Sequence, residues 1–156
     1  VQEFTRYISQ QNETGRTRPE MGVVRNLIKK SPRITTHRLN AEDSKKKFLF
    51  FTVSRDGRVL AGKPANGLRD LLLADADSTT RHEEKLHFDP GILLRFRMGE
   101  REVQVAICFI CNKWALYLDG KTVSYTSIKE ERSAVLSEVK AMFPNDKVIQ
   151  GIPEKL

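Results

Sequence analysis

The chain has 156 residues, 39% of them hydrophobic and 30% charged. That composition suits one globular domain burying about two-thirds of its unfolded surface, with a core large enough to need no disulfide staples. No apolar run approaches the roughly 18–20 residues of a membrane-crossing helix, so a transmembrane segment is excluded. The net charge of +7 is uneven: residues 1–50 hold 11 Lys/Arg against 5 Asp/Glu, and the remainder 16 against 15. A basic N-terminal third attracts polyanions such as an acidic protein surface, nucleic acid or an anionic membrane. No signal peptide is visible, and the chain begins at Val1, not Met. The localisation is unknown, since a cytoplasmic place and export after removal of an N-terminal signal both fit.

In chain order, Phe4, Tyr7 and Ile8 have helical spacing, and residues 10–20 read as a polar linker with Gly15 and Pro19. Val24, Leu27 and Ile28 share one face of a helix over 21–30, which ends in Lys29-Lys30 and is stopped by Pro32. Residues 33–46 are polar and basic, with only a weak strand signal at Ile34-Thr35-Thr36. The folded core is expected to begin at Lys47. Phe48 to Val53 is nearly continuously apolar and reads as a central strand covered on both faces. Asp56-Gly57 predicts a turn returning Val59-Leu60-Ala61 as a second strand. Leu68, Leu71 and Leu72 mark the inner face of a helix over 66–76, and residues 75–85 read as a polar loop.

A meander follows. Ile92, Leu94, Phe96 and Met98 alternate with Leu93, Arg95 and Arg97, and Val103, Val105, Ile107 and Phe109 line one face of the next strand. Trp114 to Leu118 and Thr122 to Tyr125 flank a second hairpin signal, Asp119-Gly120. Ser127 and Glu130 have capping-box spacing. Val135, Leu136, Val139, Met142 and Phe143 give the last helix its apolar face, and Pro144-Asn145-Asp146 ends it. The order predicts an α+β fold: a single mostly antiparallel sheet of about five to six strands with helices packed on one face, preceded by a basic N-terminal arm. The expected divisions are an arm over 1–46, a domain over 47–150 and a tail over 151–156. Phe50, Phe96, Val105, Ile107, Leu136 and Val139 are expected to be buried together.

Cys108 and Cys111 are the only cysteines. Three readings compete. In an unbroken strand the period of two puts them on opposite faces, reduced and metal-free, with Cys111 beside Ile107 and Phe109. A disulfide or redox pair needs a turn or bulge at this point. A metal site needs two more ligands, and the candidates to join Cys108 and Cys111 are His87 or His82, with Asp89. The strand period favours the first reading. Asp75, Asp77, Glu83, Glu84 and Asp89 lack calcium-loop spacing and read as a solvated acidic loop. No nucleophile elbow, phosphate-binding glycine loop or cofactor signature is present.

Phe88-x-Pro90, Leu94-x-Phe96, Val103-x-Val105-x-x-Cys108-Phe109-x-Cys111 and the terminal Phe143-Pro144-x-Asp146 carry a resemblance. Over about residues 48–150 the chain resembles a group of uncharacterised small bacterial proteins, some exported or lipid-anchored. Members of that group often have a further cysteine before the F-x-P element. Leu86 stands there in this chain, so the resemblance does not imply a three-thiol site. It implies a similar order of elements, is compatible with export, and carries no chemistry.

The function expected from these residues is a non-enzymatic interaction or accessory subunit, working in a larger complex. It docks on an acidic partner protein through Arg25, Lys29, Lys30, Arg33, Arg38, Lys45, Lys46 and Lys47, without a cofactor. The alternatives are a nucleic-acid-binding domain, using the same arm with Arg95 and Arg97, and a thiol redox or metal protein using Cys108 and Cys111. Aromatic interleaving of the kind that stacks single-stranded bases is absent from the arm.

Overall fold

The computed structural model describes residues 17–39, 46–48, 51–78, 88–128 and 131–155. The expectations placed on 1–9, on Lys45, Phe50, His82 and His87, and on most of the acidic loop lie outside these residues. The described elements are α1 (Thr17–Lys30), β1 (Ile34–Leu39), β2 (Lys46–Phe48), β3 (Phe51–Asp56), α2 (Lys63–Ser78), β4 (Ile92–Met98), β5 (Arg101–Cys108), β6 (Lys113–Leu118), β7 (Lys121–Ser127), α3 (Arg132–Met142) and α4 (Lys147–Gln150). The strands form one antiparallel sheet in the order β2-β3-β1-β4-β5-β6-β7. Six of them have six to eight residues, and the edge strand β2 has three. The fold is α+β.

Alternation places the core. Ile92, Leu94 and Phe96 of β4 oppose Ile107, Val105 and Val103 of β5, and these oppose Trp114, Leu116 and Leu118 of β6. All nine join the apolar faces of α1, α2 and α3 in the main core, with Val24, Ile28, Leu68, Leu136 and Val139 fully buried. The other sheet face carries a smaller cluster of Leu39, Val53, Leu93, Ala106, Ala115, Tyr117 and Tyr125. Phe88 meets the Tyr125 ring edge-on there, at 5.1 Å between centroids. A bulge between Leu116 and Tyr117 shifts the β6–β7 register, so Leu116 faces Ser124 and Tyr117 faces Thr122.

The turns follow their residues. Asp119 and Gly120 have φ of 50° and 86°, as a two-residue turn with both central residues left-handed requires. At Gly57 a side chain has no room, because an added Cβ would collide with the Thr36 hydroxyl and the Phe143 ring.

Several expectations are corrected. Residues 17–39 are no arm. α1 starts inside the expected linker and buries Met21, Val24, Leu27 and Ile28, while β1 lies between β3 and β4. β1 can be central despite its polar sequence because its polar side chains find distant partners. Thr36 donates to the Arg58 carbonyl (2.7 Å), His37 Nδ1 meets Asp56 Oδ1 (2.7 Å), and Arg38 reaches Asp146 (2.9 Å). The Phe48–Val53 run is not one central strand: its ends lie in two strands, β2 at the sheet edge and β3 between β2 and β1. Val59–Ala61 forms no strand and contributes one bridge, Leu60 to Ile34. α2 extends to Ser78, into the expected loop. Ser127 does not cap α3: it ends β7 and accepts from Lys113 Nζ (2.6 Å), while α3 begins at Arg132 after Glu131. The short α4 was not expected. Its N-cap is Asp146, whose Oδ1 accepts from the Ile149 N–H.

Candidate functional site

The sequence-derived basic residues divide into two sets. Arg25, Lys29 and Lys30 are exposed on α1, and Arg33 is exposed just beyond it. The last carbonyls of α1 are capped by a different cation, Arg69, from α2. Its Nη1 donates to the Ile28 carbonyl at 2.7 Å and approaches the Lys29 carbonyl and Ser31 Oγ at 3.4 Å. The lysine head groups are therefore not used as caps. The Ile34–Leu60 bridge lays the Arg58–Lys63 stretch beside the start of β1, which adds exposed Arg58 and Lys63 to the same end.

Arg38 behaves differently. It is 8% exposed and belongs to the structure of the sheet. Its Nε donates to Asp146 Oδ2, its Nη1 to the carbonyls of Leu39 and Gly91, and Arg55 Nη2 donates to the same Asp146 oxygen at 2.7 Å. Burial works against ionising Asp146, but the Ile149 N–H, Arg55 and Arg38 outweigh it and hold the carboxyl at about 2. Arg38 is thus withdrawn from the interaction set. Lys46 and Lys47 lie in β2, and their side chains are outside the described set. On the sheet face away from the main core Arg95 pairs with Glu102 through two bonds of 2.6 and 2.9 Å, and Gln104 donates to the same carboxylate. Burial opposes the Glu102 charge, yet these bonds and the nearby Arg97 lower its pKa.

The cysteines also overturn the strand reading. β5 ends at Cys108, which pairs with Lys113, and residues 109–112 form the hairpin turn. Asn112 takes φ of 56°, a left-handed conformation that Asn tolerates. The turn brings Cys108 and Cys111 to one side as a disulfide. The period of two ended at Cys108, three residues short of Cys111, and the sequence lacked a Gly or Pro to announce it. The Cys111 N–H donates to Cys108 Sγ at 3.3 Å. Among the described residues no group of three His, Cys, Asp or Glu is placed to hold a metal ion.

Arg132, which sequence reasoning did not single out, anchors this turn. It is 6% exposed. Nη1 donates to the Phe109 carbonyl (2.6 Å) and Asn112 Oδ1 (3.0 Å), Nη2 to the Pro153 carbonyl (3.0 Å) and Nε to the Glu154 carbonyl (3.2 Å). Its guanidinium also lies 5.5 Å from the Phe109 ring centroid. A cavity of about 140 Å³ opens beside the disulfide, lined by Ile92, Ile107, Cys108, Phe109, Ile149 and Ile152 among others. Ile110, 86% exposed, and Val148, 66% exposed, stand at its rim. No described helix is long and apolar enough to cross a membrane.

No family model, curated protein or solved structure matches this chain.

Proposed function

We propose that the protein is a non-enzymatic interaction domain, an accessory subunit that docks on an acidic partner protein with the basic end formed by the last turn of α1 and the start of β1. One observation carries this reading. Lys29, Lys30 and Arg33 are exposed together, and no acidic residue occurs from Met21 to Ala41. Arg58 and Lys63 extend the patch, and Arg69 does the capping that would otherwise occupy the lysines. Such a patch steers an oppositely charged surface and sets association rate and partner choice. An acidic protein is favoured over nucleic acid. Of the two arginines that a nucleic-acid reading needs on the sheet face away from the main core, Arg95 is engaged by Glu102.

The test is fluorescence anisotropy with a labelled Glu-rich peptide and with labelled single- and double-stranded oligonucleotides, using wild type and the variant K29E/K30E/R33E. The peptide should bind in a salt-dependent manner and lose at least about tenfold in affinity with the variant, roughly 1.4 kcal/mol. Unchanged peptide binding by the variant overturns the docking surface. Oligonucleotide binding much tighter than peptide binding moves the function to nucleic acid.

A further inference from the structure

We infer that Cys108 and Cys111 form a thiol–disulfide exchange site for a low-molecular-mass thiol, in which Cys111 takes the attack and Cys108 is the leaving sulfur. The inference rests on the hairpin tip and is independent of the basic surface.

Three observations converge. First, the cross-link spans a sequence separation of only three. A clip that short removes little freedom from the unfolded chain, so it makes a poor staple. The tip is also held without it. Ile128 N–H donates to the Asn112 carbonyl (2.9 Å), Asn112 Nδ2 donates to the Ile128 carbonyl (2.8 Å), and Arg132 holds the Phe109 carbonyl (2.6 Å). Opening the bond therefore leaves the hairpin in register. Second, the two sulfurs are unequal. Cys108 is 3% exposed, whereas Cys111 is partly exposed. The buried sulfur already accepts the Cys111 N–H, a donor that favours the thiolate form of a leaving group. Third, a cavity of about 140 Å³ adjoins Cys108, lined by Arg38 and Asp89 as well as apolar side chains, with Ile110 at its rim. It has room for a small organic group and not for a folded segment, which is why the exchanging thiol is assigned as a small molecule.

The chemistry balances. A thiolate attacks Sγ of Cys111. The Cys108–Cys111 bond breaks, and its electron pair leaves on Sγ of Cys108, which takes a proton. A second thiol then attacks the outer sulfur of the mixed disulfide and releases Cys111 as a thiol. Two electrons and two protons pass from two thiols, or one dithiol, to the pair, and the reductant ends as its disulfide.

The experiment uses the whole protein, with circular dichroism confirming the native fold throughout. Intact mass should show wild type two hydrogens lighter as purified, and dithiothreitol or reduced glutathione should open the pair without denaturant, as read by iodoacetamide trapping. Cys108→Ser and Cys111→Ser are then treated with glutathione disulfide. The Cys111 thiol in C108S should form the mixed disulfide at least about tenfold faster than the Cys108 thiol in C111S. If a variant does not fold, peptide mapping of partly reduced wild type replaces the comparison, with glutathione expected on Cys111. A pair that opens only in denaturant, thiols that stay reduced under air, or glutathione found chiefly on Cys108 overturns the inference.

Discussion

Arg132 Nη1 donates to the carbonyl of Phe109 at 2.6 Å, inside the segment closed by Cys108 and Cys111. The same side chain grips Pro153 and Glu154, so one buried cation ties the hairpin tip to the last described residues of the chain.

Arg132→Ala therefore leaves the buried Phe109 carbonyl without its partner and removes the part-buried bonds to Pro153 and Glu154. The expected loss is about 2–4 kcal/mol. Chemical denaturation measures it, and hydrogen exchange should show faster exchange at Ile128 and Ile152. A loss under about 0.5 kcal/mol would place Arg132 among surface residues.

Asp146 sets an acid limit to stability. Its folded pKa is about 2 against an ordinary 3.8. A depressed carboxylate contributes stability that is complete above its unfolded pKa and is lost as pH falls through the folded one. The contribution is about 2 kcal/mol and should disappear between about pH 4 and pH 2. Denaturant midpoints across that range should fall more steeply for wild type than for Asp146→Asn. The variant should itself be less stable at pH 7, because Arg38 would keep only its carbonyl partners. Parallel curves would contradict the assignment.

Phe96 is fully buried between Ile34 of β1 and Val103 of β5. Phe96→Ala should cost about 3–5 kcal/mol. A loss below about 1 kcal/mol in urea unfolding would undo the register of β4.

α1 and β1 belong to the core, so a chain truncated before Asn40 should not fold, as judged by a flat near-ultraviolet dichroism spectrum and no cooperative melt. Ile28→Ala, a milder probe of the same packing, should cost about 2–4 kcal/mol. A truncated chain with a cooperative transition would show that β3 and β4 can pair without β1.

Elements whose period is uninterrupted were legible along the chain. The α+β class, the β4–β5 register face and the β6–β7 hairpin at Asp119-Gly120 all follow from local alternation and turn chemistry. So do the apolar faces of α1, α2 and α3. The place of β1 depends on contacts between distant segments. Thr36, His37 and Arg38 look like arm residues until partners from Arg58, Asp56 and Asp146 satisfy them. The Arg38–Asp146 bond joins residues 108 positions apart, and no window along the chain contains both. The same holds at the candidate site. The spacing of Cys108 and Cys111 was plain, but their pairing depended on where β5 stops. That end point is fixed by Arg132 and Ile128 gripping the turn from beyond β7, contacts that no local period encodes.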